Sequence, residues 1–93
     1  MSENTYDSVW DALENTPEEA ENMRLRSRLM MALADQIKTQ RWTQKDAAER
    51  LHVTQPRISD LNRGKIDLFS LDTLVNMVSA AGFHIDLNIR PAA

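Results

Sequence analysis

Residues 43–65 of this chain read TQKDAAERLHVTQPRISDLNRGK, and the stretch predicts two short helices joined by a tight turn. Thr43 lies three residues before Asp46, so the pair can form a capping box for a helix that begins at Gln44. Its inward face is small and apolar and comprises Ala47, Ala48 and Leu51. The small side chains would let a second helix cross closely.

The second helix of this stretch has its own start and stop signals. Thr54 is the predicted N-cap, and Pro56 falls in the first turn, where its missing N–H costs no helical hydrogen bond. Gly64 ends the helix. Ile58 and Leu61 face inward. The outward residues are polar and partly cationic, as a surface that reads the major groove of DNA must be, and they are Gln55, Arg57, Ser59, Asp60, Asn62 and Arg63.

In order and spacing, this stretch resembles the helix-turn-helix of Cro/C1-type repressors, the XRE family. The matching residues are Thr43-Gln44, Ala48, Leu51, Val53-Thr54-Gln55, Ile58-Ser59, Leu61 and Arg63-Gly64-Lys65. The family usually has Gly at the turn, where this chain has His52, a residue that adopts the left-handed conformation less easily. The resemblance extends over roughly residues 24 to 82. It implies a mainly α fold, a small helical bundle of the lambda-repressor type.

We expect the second helix to enter the major groove. There Gln55 can bond adenine, Arg57 can bond guanine, and Asp60 either accepts from cytosine or holds Arg57 in place from three residues away. Ser59 can contact a base or a phosphate. The resemblance implies a phosphate-binding role for Gln44, Thr54, Arg63 and Lys65. The alternative for all these residues is an ordinary solvated helix face.

The net charge of −3 hides an uneven distribution along the chain. Residues 1–23 carry seven acidic and no basic side chains, whereas residues 24–65 carry ten basic against four acidic side chains, a net of +6. The predicted helix-turn-helix therefore has a positive field that DNA phosphates can use. Arg24, Arg26 and Arg28 spread around a helix, and we expect them to be solvated rather than to bind DNA.

Composition predicts one small domain without catalytic or cofactor chemistry. The chain has 93 residues, 42% of them apolar, which is enough for one modest core. It contains no cysteine, no glycine-rich phosphate loop and no metal-ligand spacing, and His52 and His84 lie in different elements. No apolar run is long enough to span a membrane. We therefore expect a cytoplasmic protein that is not an enzyme, with no cofactor, no metal and no membrane partner.

Two further helices complete the predicted bundle. Thr16-Pro17-Glu18-Glu19 signals the start of a long helix that runs to about Gln40. Its packed stripe comprises Leu25, Leu29, Met30, Leu33 and Ile37. After a loop at residues 65–69, Ser70 caps the last helix, which Gly82 ends. Its predicted inner face comprises Leu71, Leu74, Val75 and Val78.

The C-terminal segment changes to a period of two. One side carries Phe83, Ile85, Leu87 and Ile89, which predicts a β-strand. The chain offers this strand no hairpin partner, so the simplest remedy is antiparallel pairing with the same strand of a second copy. Such a homodimer would place two recognition helices about 34 Å apart on a palindromic operator. Pairing through a helix face is the alternative.

The acidic N-terminal arm suggests a protein partner. Val9, Trp10 and Leu13 share one face of a predicted short helix, which either docks on the domain's own core or binds a basic partner. A domain of this size with a C-terminal strand and the string TQPRISDLNRGKIDLFSLDTL at residues 54–74 is also similar to HigA-like antitoxins, whose partners are small basic toxins of the RelE/HigB type. That resemblance implies the antitoxin of a type II toxin–antitoxin pair that represses its own operon. A stand-alone XRE-family transcriptional repressor is the alternative.

These patterns divide the chain into three parts. Residues 1–15 form the acidic arm, 16–82 the helix-turn-helix domain and 83–93 the dimerisation strand and tail.

Overall fold

The computed structural model describes residues 16–92, and within them it contains four α-helices and one 3₁₀ turn. Helix α1 spans Pro17–Gln40, α2 Gln44–Leu51, α3 Gln55–Asn62 and α4 Leu71–Ala80, and the 3₁₀ turn spans Ile66–Leu68 between α3 and α4. The mainly helical architecture and the bounds of the long first helix agree with the sequence-based expectations.

Side-chain caps fix where the helices begin. Thr16 accepts a hydrogen bond from the Glu19 amide at 3.1 Å, and Ser70 accepts one from the Thr73 amide at 3.1 Å. Each bond satisfies one of the backbone donors that a helix N-terminus leaves without an intrahelical partner. The predicted caps of α1 and α4 are therefore confirmed.

Left-handed residues end all four helices and set the direction of the next segment. Arg41, after α1, and His52, after α2, are non-glycine residues with φ of 58° and 60°. Gly64 follows α3 with φ of 71°, and Gly82 follows α4 with φ of 92°, as predicted. At each end the next amide bonds a carbonyl five residues earlier, as in Trp42 to Ile37 at 3.0 Å. This Schellman-type closure satisfies a carbonyl that would otherwise face solvent unpaired.

All four helices contribute to one apolar core. Its fully buried side chains include Leu33 from α1, Leu51 from α2, Ile58 from α3 and Leu74 from α4. Met30 and Ile37 complete the α1 stripe, while Leu29 is only half-buried. The i+4 repeat of α1 thus predicts its packed face from Leu29 to Ile37, whereas Leu25 is half-buried and lies outside this cluster.

Helix α4 is rotated from the expected orientation. Leu74 and Val78 are buried as predicted, but Met77 occupies the core and Val75 is exposed. Leu74, Met77, Val78 and Ala81 recur at i, i+3, i+4 and i+7, so the packed stripe of α4 includes position 77 and leaves position 75 outside. The predicted inward position of Val75 is wrong.

The segment after α3 is part of the core rather than a simple surface loop. Phe69 is buried, and Ile66 packs against the same cluster. From α1, the Nη1 of Arg26 donates to the Ile66 carbonyl at 3.1 Å and to the Phe69 carbonyl at 3.5 Å. The expectation of a solvated Arg26 is therefore wrong, since its guanidinium anchors this segment to the long helix.

The structure contains no β-strand within residues 16–92, so the predicted C-terminal strand is not found there. Leu87 and Ile89 are 70% and 89% exposed, and Phe83 is also exposed. Ile85 instead packs on the domain's own core. The physical reason is that a strand needs a partner for its backbone hydrogen bonds, and this part of the single chain supplies none.

Candidate nucleic-acid interface

The turn between α2 and α3 is fixed by local hydrogen bonds at both ends of α2. Thr43 accepts from the Asp46 amide at 3.0 Å, while the Thr43 amide donates to Asp46 Oδ2 at 3.4 Å, so the predicted capping box is present. At the other end, the amide of Val53 bonds the Ala48 carbonyl at 3.0 Å. With His52 in the left-handed region, three residues reverse the chain and start α3. The two helices are thereby held as one unit.

Helix α3 buries one face and presents a polar one. Ile58 and Leu61 are buried, as predicted. Gln55 and Asn62 are exposed, and Ser59 lies between them on the same face and is half-buried. Residues four and three positions apart neighbour one another on a helix surface. The outer face therefore carries two amides and one hydroxyl, which can donate and accept towards base edges.

Arg57 does not extend into solvent with the other polar residues of α3. Its Nη1 donates to the Leu68 carbonyl at 2.8 Å, and its Cζ lies 5.1 Å from the centroid of the Phe69 ring. A guanidinium over an aromatic face gains from the ring's negative potential. In this structure Arg57 binds the segment after α3, so its contact with a base would require it to leave both partners.

Asp60 is half-buried on the Arg57 side of α3. The expectation that Asp60 holds Arg57 from three residues away finds no support among residues 16–92, where the ion pairs are Arg24 with Glu21 and His84 with Asp86. The Asp60 main-chain carbonyl accepts from the Lys65 amide at 3.1 Å and helps to end α3. Its side chain remains without an assigned contact.

The predicted phosphate-binding residues lie at the ends of the two helices. Gln44 is the first residue of α2, Thr54 precedes α3, and Arg63 and Lys65 follow it, all four being exposed. Thr54 occupies the N-cap position, but its side chain makes no capping hydrogen bond, contrary to the sequence-based expectation. That hydroxyl is thus available to another acceptor or donor, such as a phosphate.

Two arginines on the flanks of the unit have structural partners. The Cζ of Arg50, near the end of α2, lies 4.9 Å from the centroid of the half-buried Trp42 ring. On α1, Glu21 accepts a hydrogen bond from Arg24 and raises the pKa of that exposed guanidinium. Sequence reasoning missed the Trp42–Arg50 contact, and no spacing rule marks it, because Trp42 precedes α2 while Arg50 lies in its last turn.

The residues of other predicted sites are placed differently. Val9, Trp10 and Leu13 lie outside the described residues. Of the predicted dimerisation residues, Phe83, Leu87 and Ile89 are exposed, while Ile85 contacts the core. Among residues 16–92, no group of three or more His, Asp or Glu is arranged to hold a metal ion. None of the helices there is long and apolar enough to cross a membrane.

Comparison with known proteins agrees with this geometry. A family model described as a helix-turn-helix domain matches residues 12–90. A solved structure described as a "Putative XRE Family Transcriptional Regulator" is 33% identical, with a TM-score of 0.72, and the match covers 78% of this chain and 82% of that one. The chain belongs to the XRE helix-turn-helix family. This membership supports the α2–α3 unit as the DNA-binding element of a transcriptional regulator. No curated protein matches the chain.

Proposed function

We propose that this XRE-family protein is a sequence-specific transcriptional repressor that inserts α3 into the major groove. The observation that carries the proposal is the polar outer face of α3, on which Gln55 and Asn62 are exposed and Ser59 is half-buried between them. The capped α2 and the His52 turn hold this face in a fixed position. Pre-ordering matters because a helix that is already placed loses less freedom on binding.

Base reading is assigned first to the residues that already face outward. Gln55 can bond adenine N6 and N7 in bidentate fashion, and Ser59 can bond either a base or a phosphate. Arg57 can bond guanine only after its guanidinium leaves the Leu68 carbonyl and the Phe69 ring. Asp60 can accept from cytosine N4 only where the DNA major groove reaches the flank of α3. Asn62 joins the outer face, although the roles predicted from sequence did not include it.

Phosphate binding is assigned to the ends of the helices. Arg63 and Lys65 are cations on the segment that leaves α3, and Gln44 and Thr54 lie at helix N-termini, where backbone amides favour an anion. These contacts position the protein but carry no sequence information. The net charge of +6 over residues 24–65 supports this assignment.

We further propose that the repressor acts as a homodimer through its C-terminal tail. The support is the exposed apolar side chains of Phe83, Leu87 and Ile89, which one chain leaves uncovered. Pairing of two tails would supply the backbone partners that a strand requires. Two α3 helices could then occupy successive major grooves about 34 Å apart.

The test is selection of binding sites from a random-sequence duplex library with purified full-length protein. Enrichment of a two-fold symmetric site, with half-site centres about one helical turn apart, is the expected result. Sedimentation of the free protein should show a dimer that Leu87→Asp and Ile89→Asp disrupt. Recovery of asymmetric single half-sites by a monomer would refute the dimer, and no enrichment would refute sequence-specific repression.

A second candidate function adds a toxin partner to the same repressor. The specific observation is the acidic arm, which carries four acids and no basic residue over residues 1–15 beside the apolar Val9, Trp10 and Leu13. Carboxylates around an aromatic anchor suit a small basic protein, because burial of the ring supplies affinity and the acids guide the encounter. The protein would then be a type II antitoxin that represses its own operon and neutralises a RelE/HigB-like toxin.

This second function is tested by expressing a short basic protein encoded beside this one. Growth arrest by that protein alone, rescue by the full-length chain and loss of rescue in Trp10→Ala would support the antitoxin. If the neighbouring protein is harmless, or if no such protein exists, a stand-alone regulator remains. Rescue that survives Trp10→Ala would refute the arm as the contact.

A further inference from the structure

An open groove of about 390 Å³ lies between α1 and the end of α3. Its apolar lining includes Met30, Met31 and Ala34 from α1 and Leu61 from α3, and Ile66 closes one end. Met31 is 65% exposed, so its side chain is free to contact a further segment of chain.

Two exposed cations, here called the rim, adjoin one residue of the groove lining along the chain. Gly64 is part of the lining, and its chain neighbours Arg63 and Lys65 are both exposed cations. These are two of the residues assigned above to DNA phosphates. Whatever occupies the groove with negative charge therefore competes with DNA for the same cations.

Residues 1–15 have the chemistry that this groove and rim would attract. Their apolar residues Val9, Trp10 and Leu13 are interspersed with acids, and the segment has a net charge of −4 with no basic side chain. A tryptophan contributes a large apolar area on burial, while neighbouring carboxylates can pair with the rim. The apolar residues of the arm thus suit the groove lining, and its acids suit Arg63 and Lys65.

The chain is long enough to make the connection. Met30 and Met31 lie about 20 Å along α1 from its first residue, at 1.5 Å per residue. Trp10 precedes Pro17 by seven residues, which span up to about 23 to 25 Å when extended. An arm that folds back along α1 in extended rather than helical form can therefore bring Trp10 to the groove.

We propose that residues 1–15 occupy the α1–α3 groove of their own chain, with Trp10 against Met31 and the acids beside Arg63 and Lys65, and thereby weaken DNA binding. The arm then acts as an intramolecular competitor of the phosphate backbone. The inference rests on the proposed function, since DNA binding is one of its readouts. While the arm is docked, the face assigned to a toxin is also covered.

Occupancy is tested without DNA by a spin label on Ser8→Cys, which is the sole cysteine of the variant because the natural chain has none. Enhanced relaxation of the Met30 and Met31 methyl signals is the expected result, and Trp10→Ala should abolish it. Enhancement on another face would overturn the proposal. Enhancement that appears only between differently labelled molecules would also overturn it, because the occupant would be a second copy.

Competition is tested by the affinity of full-length variants for a random-sequence duplex at several salt concentrations. Trp10→Ala should bind DNA about threefold to tenfold more tightly than the natural chain at low salt. This is the range expected when the undocked arm gives up a few exposed charge pairs with Arg63 and Lys65. The difference in affinity should shrink as salt rises, because salt screens those pairs. The groove variant Met31→Glu should bind more tightly than its matched control Ala32→Glu, which adds the same charge at an exposed neighbouring position.

The outcomes separate this inference from the proposed function. If the natural chain and all variants fail to bind DNA, the proposed function is wrong while the spin-label result still decides occupancy. If the natural chain binds DNA and Trp10→Ala binds equally well at low salt, the competition is refuted and DNA binding stands.

Discussion

Arg57→Ala is expected to destabilise the domain even without DNA, because Arg57 connects the recognition helix to the segment after it. The substitution removes the 2.8 Å hydrogen bond to the Leu68 carbonyl and the contact with the Phe69 ring at 5.1 Å. A hydrogen bond from a charged donor contributes about 1.5 to 3 kcal/mol, and half-exposure of Arg57 reduces that to about 1 kcal/mol. An exposed cation–π contact adds about 0.5 to 1 kcal/mol.

The expected loss is therefore about 1.5 to 2 kcal/mol in the free energy of unfolding. For a domain of this size it corresponds to a fall in Tm of roughly 6 to 16 °C. Urea and thermal unfolding followed by circular dichroism measure both quantities. Arg57→Lys keeps the charge but loses the planar stacking, so it should lie between the natural protein and Arg57→Ala.

Arg63→Ala is the matched control, because Arg63 is exposed and its side chain has no hydrogen bond or ion pair among residues 16–92. Its stability should change by less than about 0.5 kcal/mol. If Arg57→Ala melts with the natural protein, or if Arg63→Ala loses as much, the structural role of Arg57 is refuted. Arg57→Ala also tests base reading on a selected operator. If Arg57 reads a base, the substitution should cost about 1 to 3 kcal/mol of binding free energy and the preference at one base pair. If Arg57 only positions the helix, binding to operator and to random DNA should weaken equally.

Three other substitutions test the site and the turn. Lys65→Ala should weaken binding to all duplexes alike and reduce the slope of log affinity against log salt by about 0.9, so a loss confined to the operator would contradict a phosphate role. His52→Gly should raise the free energy of unfolding by about 0.5 to 1 kcal/mol in a urea titration. The reason is that relief of the left-handed backbone at φ 60° outweighs the extra freedom of glycine in the unfolded chain. Destabilisation would mean that the His52 side chain makes a stabilising contact. Thr43→Ala should lower the free energy of unfolding by about 1 kcal/mol in a thermal melt, because it removes the capping box. Thr39→Ala, on the exposed end of α1, is the control. Equal losses in the two variants would exclude the cap as the cause.

The sequence was most informative where the deciding interactions are local. The capping box of Thr43 and Asp46, the inward Ala47, Ala48 and Leu51, and the stop at Gly64 all depend on residues a few positions apart. Such signals predict α2, α3 and the turn between them without knowledge of the rest of the fold. The outward position of Gln55 followed from the same periodicity.

The contacts that sequence reasoning missed connect distant residues. Arg26 binds carbonyls 40 and 43 positions away, and Arg57 reaches 11 positions along the chain to Leu68. Backbone carbonyls are present at every residue, so no pattern marks which ones a guanidinium will bind. Met77 lies in the core in place of Val75 for a different reason, since the packed stripe of α4 includes position 77 and leaves position 75 outside.

The tail shows a different limit of sequence reasoning. Alternation of apolar residues over 83–89 describes a segment that can form a strand, but a strand exists only when its backbone finds a partner. Within the described part of one chain no such partner is present, and Ile85 turns to the core. Prediction of that element therefore depends on the assembly rather than on the segment.

Whether the outer face of α3 reads DNA sequence is measured by the dissociation constant for a random duplex divided by that for a selected operator, both at one salt concentration. A ratio of about 10³ or more in the natural protein, reduced by Gln55→Ala while affinity for random DNA is unchanged, is the predicted result. A ratio near one, or a ratio that Gln55→Ala leaves unchanged, would contradict the account.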